Sequence, residues 1–140
     1  MSQKTIFELL HTIEQVTHKM LVRWRQASTI DLGISHILVL HELSVHGESR
    51  PSDLAKNLNF TPASLTHLST KLTKQKLISR RQDETDRRTS YWSLTEIGLE
   101  VLTEAQENGH IVRKDLFSHL SEEEQTTLLA IYTKLNQTLK

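Results

Sequence analysis

The fold of this chain is decided by the stretch from Thr61 to Thr95, which reads TPASLTHLSTKLTKQKLISRRQDETDRRTSYWSLT. Its first half predicts a helix, because threonine followed by proline is typical of a helix cap and first turn. Apolar residues at helical spacing predict the buried face of this helix: Leu65, Leu68 and Leu72. The second half holds two runs of alternating apolar and polar residues. They predict strands at Leu77–Arg81 and Ser90–Leu94, joined by a polar loop over residues 82–89.

Two further helices are predicted directly before this stretch. The first begins near Ser35, a favourable N-cap, and ends at Gly47, and the second begins at Pro51. Residues 59–60 form the turn that leads to Thr61. A short helix, a brief turn and a longer helix have the spacing of a helix-turn-helix, and two strands after it predict a winged helix.

The longer helix, which we call the recognition helix, carries hydroxyl groups and bases on the face opposite its leucines. No Asp or Glu occurs from Thr61 to Arg81, whereas solvent-facing helices usually mix acids with bases. Such a surface suits phosphates and the edges of bases. The residues of this helix predicted to contact DNA are Thr61, Ser64, Thr66, His67, Thr70 and Lys71.

The loop between the strands carries Asp86, Arg87 and Arg88, which are also predicted to contact DNA. Arginines at the tip of a wing suit the negative potential of a minor groove. Asp86 is expected to pair with an arginine and fix the shape of the loop. The chain has no net charge, but residues 71–88 contain seven cations and three anions, whereas residues 94–140 contain eight acids and four bases. The neutral total therefore hides a basic patch.

Long amphipathic helices are predicted at both ends of the chain. The first covers about residues 4–27, and the second runs from Thr95 to about Phe117, with a bend or a loosened turn expected at Gly109. The last begins at a capping box that starts with Ser121. Because the first helix has no earlier helix to pack against, its apolar stripe predicts burial against a second subunit.

The predicted fold class is mainly α with a small β-hairpin, a winged helix-turn-helix between long N- and C-terminal dimerisation helices. We expect one domain over residues 1–140. Within it, residues 34–95 form the winged-helix, DNA-binding part, and residues 1–33 and 96–140 form the helical dimerisation part.

The composition disfavours several classes of protein. The chain has no cysteine, which excludes disulfides, thiolate zinc sites and thiol switches. No apolar run is long enough for a membrane span or a signal peptide, so no membrane partner and a cytoplasmic location are expected. No phosphate-binding glycine loop, nucleophile elbow or HExxH pattern is present, so neither an enzyme nor a cofactor is expected.

Two alternatives to a regulator released by an organic effector remain open at this point. Eight histidines allow a zinc-responsive regulator of the same fold, although no two have the i,i+4 spacing of a helical metal clamp. No metal ligand is therefore assigned, but a site between helices could draw on His18, His41, Glu42 and His110. The other alternative is a winged helix that binds an acidic protein, and the hydroxyl-rich recognition helix favours DNA over it.

Five short motifs carry a resemblance that covers nearly the whole chain. They are LHEL at 40–43, PSDLAKNL at 51–58, TPASLTHL at 61–68, DRR at 86–88 and LTEIG at 94–98. In this order they resemble the MarR family of bacterial winged-helix transcriptional regulators. The most specific part is the Asp-x-Arg wing element followed at this distance by Leu-Thr-x-x-Gly.

The resemblance implies a homodimer that binds a palindromic operator in double-stranded DNA. By match of motif, Ser64, Thr66 and His67 would face the major groove. Arg88 would enter the minor groove, and Asp86 would orient the wing. A regulator of this kind is associated with the bacterial nucleoid while it is bound to DNA.

The resemblance also implies that the protein represses genes until a small aromatic or anionic effector binds between the dimer domain and the winged helices. Met20, Trp24 and His41 are the candidate effector-binding residues. The chain departs from the family at two positions. His67 stands where the family often has arginine, and Lys76 stands where a glycine usually ends the recognition helix. Lys76 must therefore adopt a positive φ or let the helix end differently.

Overall fold

The structure, a computed structural model, describes residues 2–139. Its elements confirm the predicted fold class of helices with one antiparallel two-stranded hairpin. They are α1 Gln3–Ala27, α2 Ile34–His46, α3 Pro51–Leu58, α4 Pro62–Lys74, β1 Ile78–Gln82, β2 Ser90–Leu94, α5 Glu96–Ser118 and α6 Glu122–Thr138.

These elements form two compact units. One unit contains the chain up to Ala27 and from Asn108 onward, and the other contains Ser28–Glu107. The winged helix and the first half of α5 therefore lie in the second unit. None of the described helices combines the length and the apolar character that crossing a membrane requires.

The start of α2 differs from the prediction. The N-cap is Gly33 rather than Ser35, and the helix begins at Ile34. The imidazole of His36 accepts a hydrogen bond from the Gly33 N–H through Nδ1 at 3.2 Å. His36 thus plays the part that Glu or Gln plays at the third position of a capping box, which allows the helix to start before the serine.

Both ends of α4 follow the predicted turn chemistry. Thr61 Oγ1 accepts the N–H of Ser64 at 3.1 Å and caps the first turn. At the other end Lys76 has a φ of 61°, the first of the two possibilities predicted for it. The Leu77 N–H donates to the Leu72 carbonyl at 2.9 Å, which closes a Schellman motif around a lysine where glycine is preferred.

The buried face of α4 is shifted from the predicted one. Leu65 and Leu72 are buried as predicted, but Leu68 is only half-buried, and Ser69 is 1% exposed. The spacing of four and three residues from Leu65 to Ser69 to Leu72 follows the helical repeat. A hydroxyl group therefore stands where the sequence suggested a leucine.

The wing is paired in register from Ile78 opposite Leu94 to Gln82 opposite Ser90. Ser49, in the turn before α3, adds a bridge to Trp92 through two backbone hydrogen bonds of 2.8 and 3.0 Å. Trp92 itself is 5% exposed. The hairpin is thus attached to the helix-turn-helix through its second strand.

The Leu-Thr-x-x-Gly motif fixes the start of α5 against the turn between α4 and β1. Thr95 Oγ1 donates to the Lys76 and Leu77 carbonyls at 2.7 and 3.0 Å and accepts the Gly98 N–H at 2.9 Å. Gly98 is buried, and a Cβ there would overlap with the carbonyl oxygen of Leu77. Only glycine permits this close approach of helix and turn.

The helix α5 continues through Gly109, from Glu96 to Ser118, and the bend or loosened turn expected there stays a prediction. One helical glycine costs only about 1 kcal/mol relative to alanine, which the good helix formers on either side offset. The capping box of α6 is confirmed, with Ser121 and Glu124 exchanging hydrogen bonds of 3.0 and 3.1 Å. No residue of α6 is buried in the chain.

Candidate nucleic-acid interface

The structure places six of the predicted DNA-binding residues on α4 and at its cap. Ser64, Thr66, His67 and Thr70 are exposed, as is Thr61, whereas Lys71 is half-buried. Thr66 Oγ1 donates its hydrogen to the Pro62 carbonyl at 2.9 Å. In this rotamer the hydroxyl can only accept, which suits the amino groups of adenine or cytosine in a major groove.

Lys71 is not a free cation. Its Nζ lies 3.1 Å from Oδ2 of Asp31, in the segment between α1 and α2. The side chain of Lys71 is 37% exposed, and that of Asp31 is 90% exposed. An acid is therefore brought to α4 from a distant part of the sequence, although α4 has none of its own.

His36 and His67 lie beside this ion pair. Burial lowers the pKa of the His36 imidazole, and the positive charges of Lys71 and His67 act in the same direction, whereas Asp31 opposes them. Because its Nδ1 accepts the Gly33 N–H, the structure holds His36 in a form with that nitrogen unprotonated. His67 and Lys71 of the recognition helix therefore influence a histidine and an acid that come from outside it.

Within the wing loop, Asp86 makes the contacts that were expected to fix the shape of the loop. Its carboxylate accepts the Arg88 N–H at 3.1 Å and the Thr89 hydroxyl at 3.2 Å. The Arg88 guanidinium lies 3.6 Å from the same carboxylate, and its side chain is 95% exposed. Arg87 is exposed as well. The loop therefore presents two arginines to solvent on a backbone that Asp86 holds in place.

Two cations of the basic patch serve the fold instead. Arg80 donates to Ser69 Oγ at 2.5 Å, and its guanidinium lies 5.0 Å from the centre of the Trp92 ring. The Arg81 guanidinium donates bidentate hydrogen bonds to the two carboxylate oxygens of Glu48 and lies 4.5 Å from the centre of the Tyr91 ring. The Arg81 hydrogen bond lowers the pKa of the Glu48 carboxyl. These contacts fix the wing to α4 and to the turn after α2.

The three candidate effector residues occupy different positions. Met20 lines a groove of about 510 Å³ in the first unit, together with apolar residues of α1 and α5 such as Val16, Val112 and Leu116. Trp24 is 7% exposed. His41, in the second unit, is exposed, and its Nδ1 lies 3.3 Å from the Gln106 amide nitrogen of α5.

Within residues 2–139, no three or more His, Asp or Glu side chains are grouped in a way that could hold a metal ion. Glu42, one of the residues considered for such a site, is 16% exposed, and its Oε1 lies 3.1 Å from Nε2 of His46 one turn later. The structure thus gives the zinc-responsive alternative no preformed site in the part of the chain that it describes.

Sequence reasoning missed several residues that shape this surface. The burial of Ser69 could have been predicted, because this residue stands four residues after Leu65 and three before Leu72, on the buried face of the helix. The ion pairs of Asp31 and Glu48 could not have been predicted, since their partners Lys71 and Arg81 are far away in the sequence. Local patterns do not predict such contacts.

A helix-turn-helix with a two-stranded wing and a recognition helix without acids defines the class of winged-helix DNA-binding proteins. The MarR family model matches residues 32–90. The HTH-type transcriptional regulator YwhA of Bacillus subtilis, which is uncharacterized, is 30% identical over 99 residues, 71% of each chain. The chain therefore belongs to the MarR family and is a DNA-binding transcriptional regulator, not an enzyme.

Further relatives agree with this assignment. The HTH-type transcriptional repressor MdtR of B. subtilis is 29% identical over 103 residues, 74% of this chain and 66% of MdtR. The crystal structure of YusO from B. subtilis has the same fold, with a TM-score of 0.80, 23% identity and coverage of 98% and 99% of the two chains. The organohalide-sensing regulator RdhR-CbdbA1625 in its 2,4-dichlorophenol-bound form is 26% identical, with a TM-score of 0.75 and coverage of 99% and 82%.

Proposed function

We propose that the protein is a homodimer that represses transcription by binding a palindromic operator, and that a small aromatic or anionic effector releases it. In this proposal Ser64, Thr66 and His67 read bases in the major groove. Thr61, Thr70 and Lys71 bind the DNA backbone near them. Arg88 enters the minor groove, with Arg87 beside it and Asp86 orienting both.

The observation that carries the DNA-binding role is the exposed face of α4, on which hydroxyl groups and bases occur without a single acid. A helix that enters a groove approaches phosphates on both sides, so an acid on that face would be repelled. The wing is attached to the same helix by the hydrogen bond from Arg80 to Ser69. Helix and wing can therefore be presented to DNA as one connected surface.

The terminal helices support a homodimer. Apolar side chains on α6 are exposed, with Leu129 at 69%, Tyr132 at 58% and Leu135 at 50%. On α1 Phe7 is 66% exposed and Leu10 is 50% exposed. Exposed apolar patches of this kind mark interaction sites in soluble proteins. A second copy of the chain, with the same two stripes, is the partner that a symmetric interface would use.

Release by an effector is supported by relatives. RdhR-CbdbA1625, which is similar over most of its length, was crystallised with 2,4-dichlorophenol bound. Met20, Trp24 and His41 are the residues of this chain that we propose to contact an effector. Repression rather than activation is supported by the repressor MdtR, which is similar over most of this chain.

The test combines sedimentation with DNA titration. Sedimentation at micromolar concentration is expected to give a dimer, and a folded monomer would overturn the dimeric part of the proposal. The DNA probes are a duplex selected by the protein from a randomised pool and a random duplex of equal length. The selected duplex is expected to bind more tightly, with log affinity falling by about 0.9 per phosphate contact for each unit of log salt. Equal affinity for both duplexes would refute operator binding.

A further inference from the structure

We propose that Asp31 lowers the affinity of the protein for DNA, because its carboxylate competes with the DNA backbone for the ammonium group of Lys71. This inference rests on the proposed function, since it requires Lys71 to meet a phosphate when α4 is bound. It assigns a role to a segment, residues 28–33, that belongs to neither the helix-turn-helix nor the wing.

The ion pair is the contact on which the inference is based. Nζ of Lys71 and Oδ2 of Asp31 are 3.1 Å apart. Because 90% of the Asp31 side chain is exposed, the carboxylate itself is not buried by the fold. A phosphate that approached Lys71 would meet this negative charge at the same nitrogen.

The backbone around Asp31 is attached to the rest of the second unit on both sides of the residue. The next residue, Leu32, is 6% exposed and anchors the segment in the core. Two residues earlier, the Thr29 hydroxyl donates to a carboxylate oxygen of Glu104 on α5 at 3.2 Å. Asp31 is thus an exposed residue in a segment that is attached on both sides of it.

Asp31 is an acid beside basic groups of the recognition helix. Lys71 pairs with Asp31, and the charges of Lys71, His67 and Asp31 all act on the imidazole of His36. From Thr61 to Arg81 the sequence offers no acid that could oppose a phosphate. Asp31 supplies that acid from outside, and a polyanion must displace it to reach Lys71.

The competition has a measurable consequence for salt dependence. When Lys71 exchanges Asp31 for a phosphate, the carboxylate is left to attract a cation from solution, which offsets part of the counterion release from DNA. Without the carboxylate, the slope of log affinity against log salt should steepen by up to about 0.9 per protomer. Exposed ion pairs are weak, so the affinity at low salt should rise by about two- to fivefold per protomer.

The experiment compares Asp31→Asn with Asp115→Asn in salt titrations against the selected and the random duplex. Asp115 is a matched control, because it is 60% exposed, forms an ion pair of 3.6 Å with Arg23, and lies in the other compact unit. Both variants lose one negative charge. Tighter binding and a steeper slope are expected for Asp31→Asn, beyond any change in Asp115→Asn. Circular dichroism confirms that each variant is folded.

Lys71→Gln separates failure of this inference from failure of the proposed function. If Lys71→Gln weakens binding but Asp31→Asn binds as the wild type or more weakly, Lys71 contacts DNA and Asp31 does not compete for it. That result overturns the inference alone. If Lys71→Gln and Asp31→Asn both leave affinity and slope unchanged, the backbone contact of Lys71 is wrong as well. If the wild type does not distinguish the two duplexes, operator binding fails, whereas the random duplex still tests the competition.

Discussion

The guanidinium of Arg80 donates a hydrogen bond of 2.5 Å to the hydroxyl of Ser69, which joins the first strand of the wing to the buried side of the recognition helix. The same hydroxyl donates to the Thr66 carbonyl at 2.7 Å, and it is enclosed, since Ser69 is 1% exposed. Arg80 also stacks on Trp92 of the second strand. One serine side chain therefore links the helix and, through Arg80, both strands.

Ser69→Ala should consequently destabilise the protein. The variant removes the acceptor of Arg80, and hydrogen bonds to charged groups contribute about 1.5–3 kcal/mol, less where water can replace the partner. Because Arg80 is exposed, we expect a loss of about 1–2 kcal/mol in the free energy of unfolding, measured with urea. Ser79→Ala is the control, since its hydroxyl pairs with Ser93 at an exposed position. Equal losses in the two variants would show that the link is unimportant.

Two glycines of α5 should respond in opposite directions to alanine. At Gly98 the new methyl group would collide with the Leu77 carbonyl, a backbone atom that cannot move aside cheaply, so Gly98→Ala should lose about 1–3 kcal/mol. At Gly109 a Cβ would meet only the flexible end of Arg113, at 3.5 Å. Gly109→Ala should therefore gain up to about 1 kcal/mol of helix propensity. Urea unfolding measures the change in the free energy of unfolding for both variants. A Gly98→Ala variant as stable as the wild type would contradict the close approach of Gly98 to the Leu77 carbonyl.

Local spacing predicted most elements of the fold, because each depends on residues near one another in sequence. Thr61, Pro51 and Ser121 identified helix starts, and the alternating runs identified the strands. The start of α2 was missed because His36, which completes its cap, is an unusual residue for that role. The helix α5 continues through Gly109 because the low helix propensity of one residue is a small term in a long helix.

The surface next to α4 was less predictable than the fold. Composition indicated a basic patch of seven cations, but it could not show which cations the fold itself uses. Arg80 and Arg81 bind Ser69 and Glu48, and Lys71 pairs with Asp31. These contacts join segments that approach only in the folded chain. The exposed cations at the wing tip, Arg87 and Arg88, are the part that the sequence identified directly.

His67→Ala and Arg88→Ala should affect DNA binding in different ways. If His67 reads a base, its loss should reduce discrimination against one or more single-base changes in the selected duplex by about 1–3 kcal/mol. Arg88, which is 95% exposed at the wing tip, should instead weaken binding to all duplexes and reduce the salt slope by about 0.9 per protomer. Titration against a panel of single-base variants separates the two effects. A uniform loss in His67→Ala would assign it to the backbone.

The stability of the fold should depend on pH, because the pKa of His36 is lower in the folded than in the unfolded chain. Burial, with Lys71 and His67 acting in the same direction, lowers its pKa below the ordinary value of 6.5. As pH falls through this region, the unfolded chain binds the proton first. The contribution of neutral His36 is therefore complete above about pH 6.5 and is lost as pH falls through the lower pKa of the folded state. Folding stability should decrease on acidification partly for this reason.

His36→Gln isolates that contribution. Glutamine does not titrate, and at the third position of a helix it can still accept the Gly33 N–H, so the cap of α2 is preserved. We expect the difference in the free energy of unfolding between about pH 8 and about pH 5 to become smaller than in the wild type. His110→Gln, which removes an exposed histidine of α5, is the control. If both variants keep the wild-type pH dependence, His36 is not the residue whose protonation opposes folding, and the desolvation inferred from its burial beside Lys71 would have to be small.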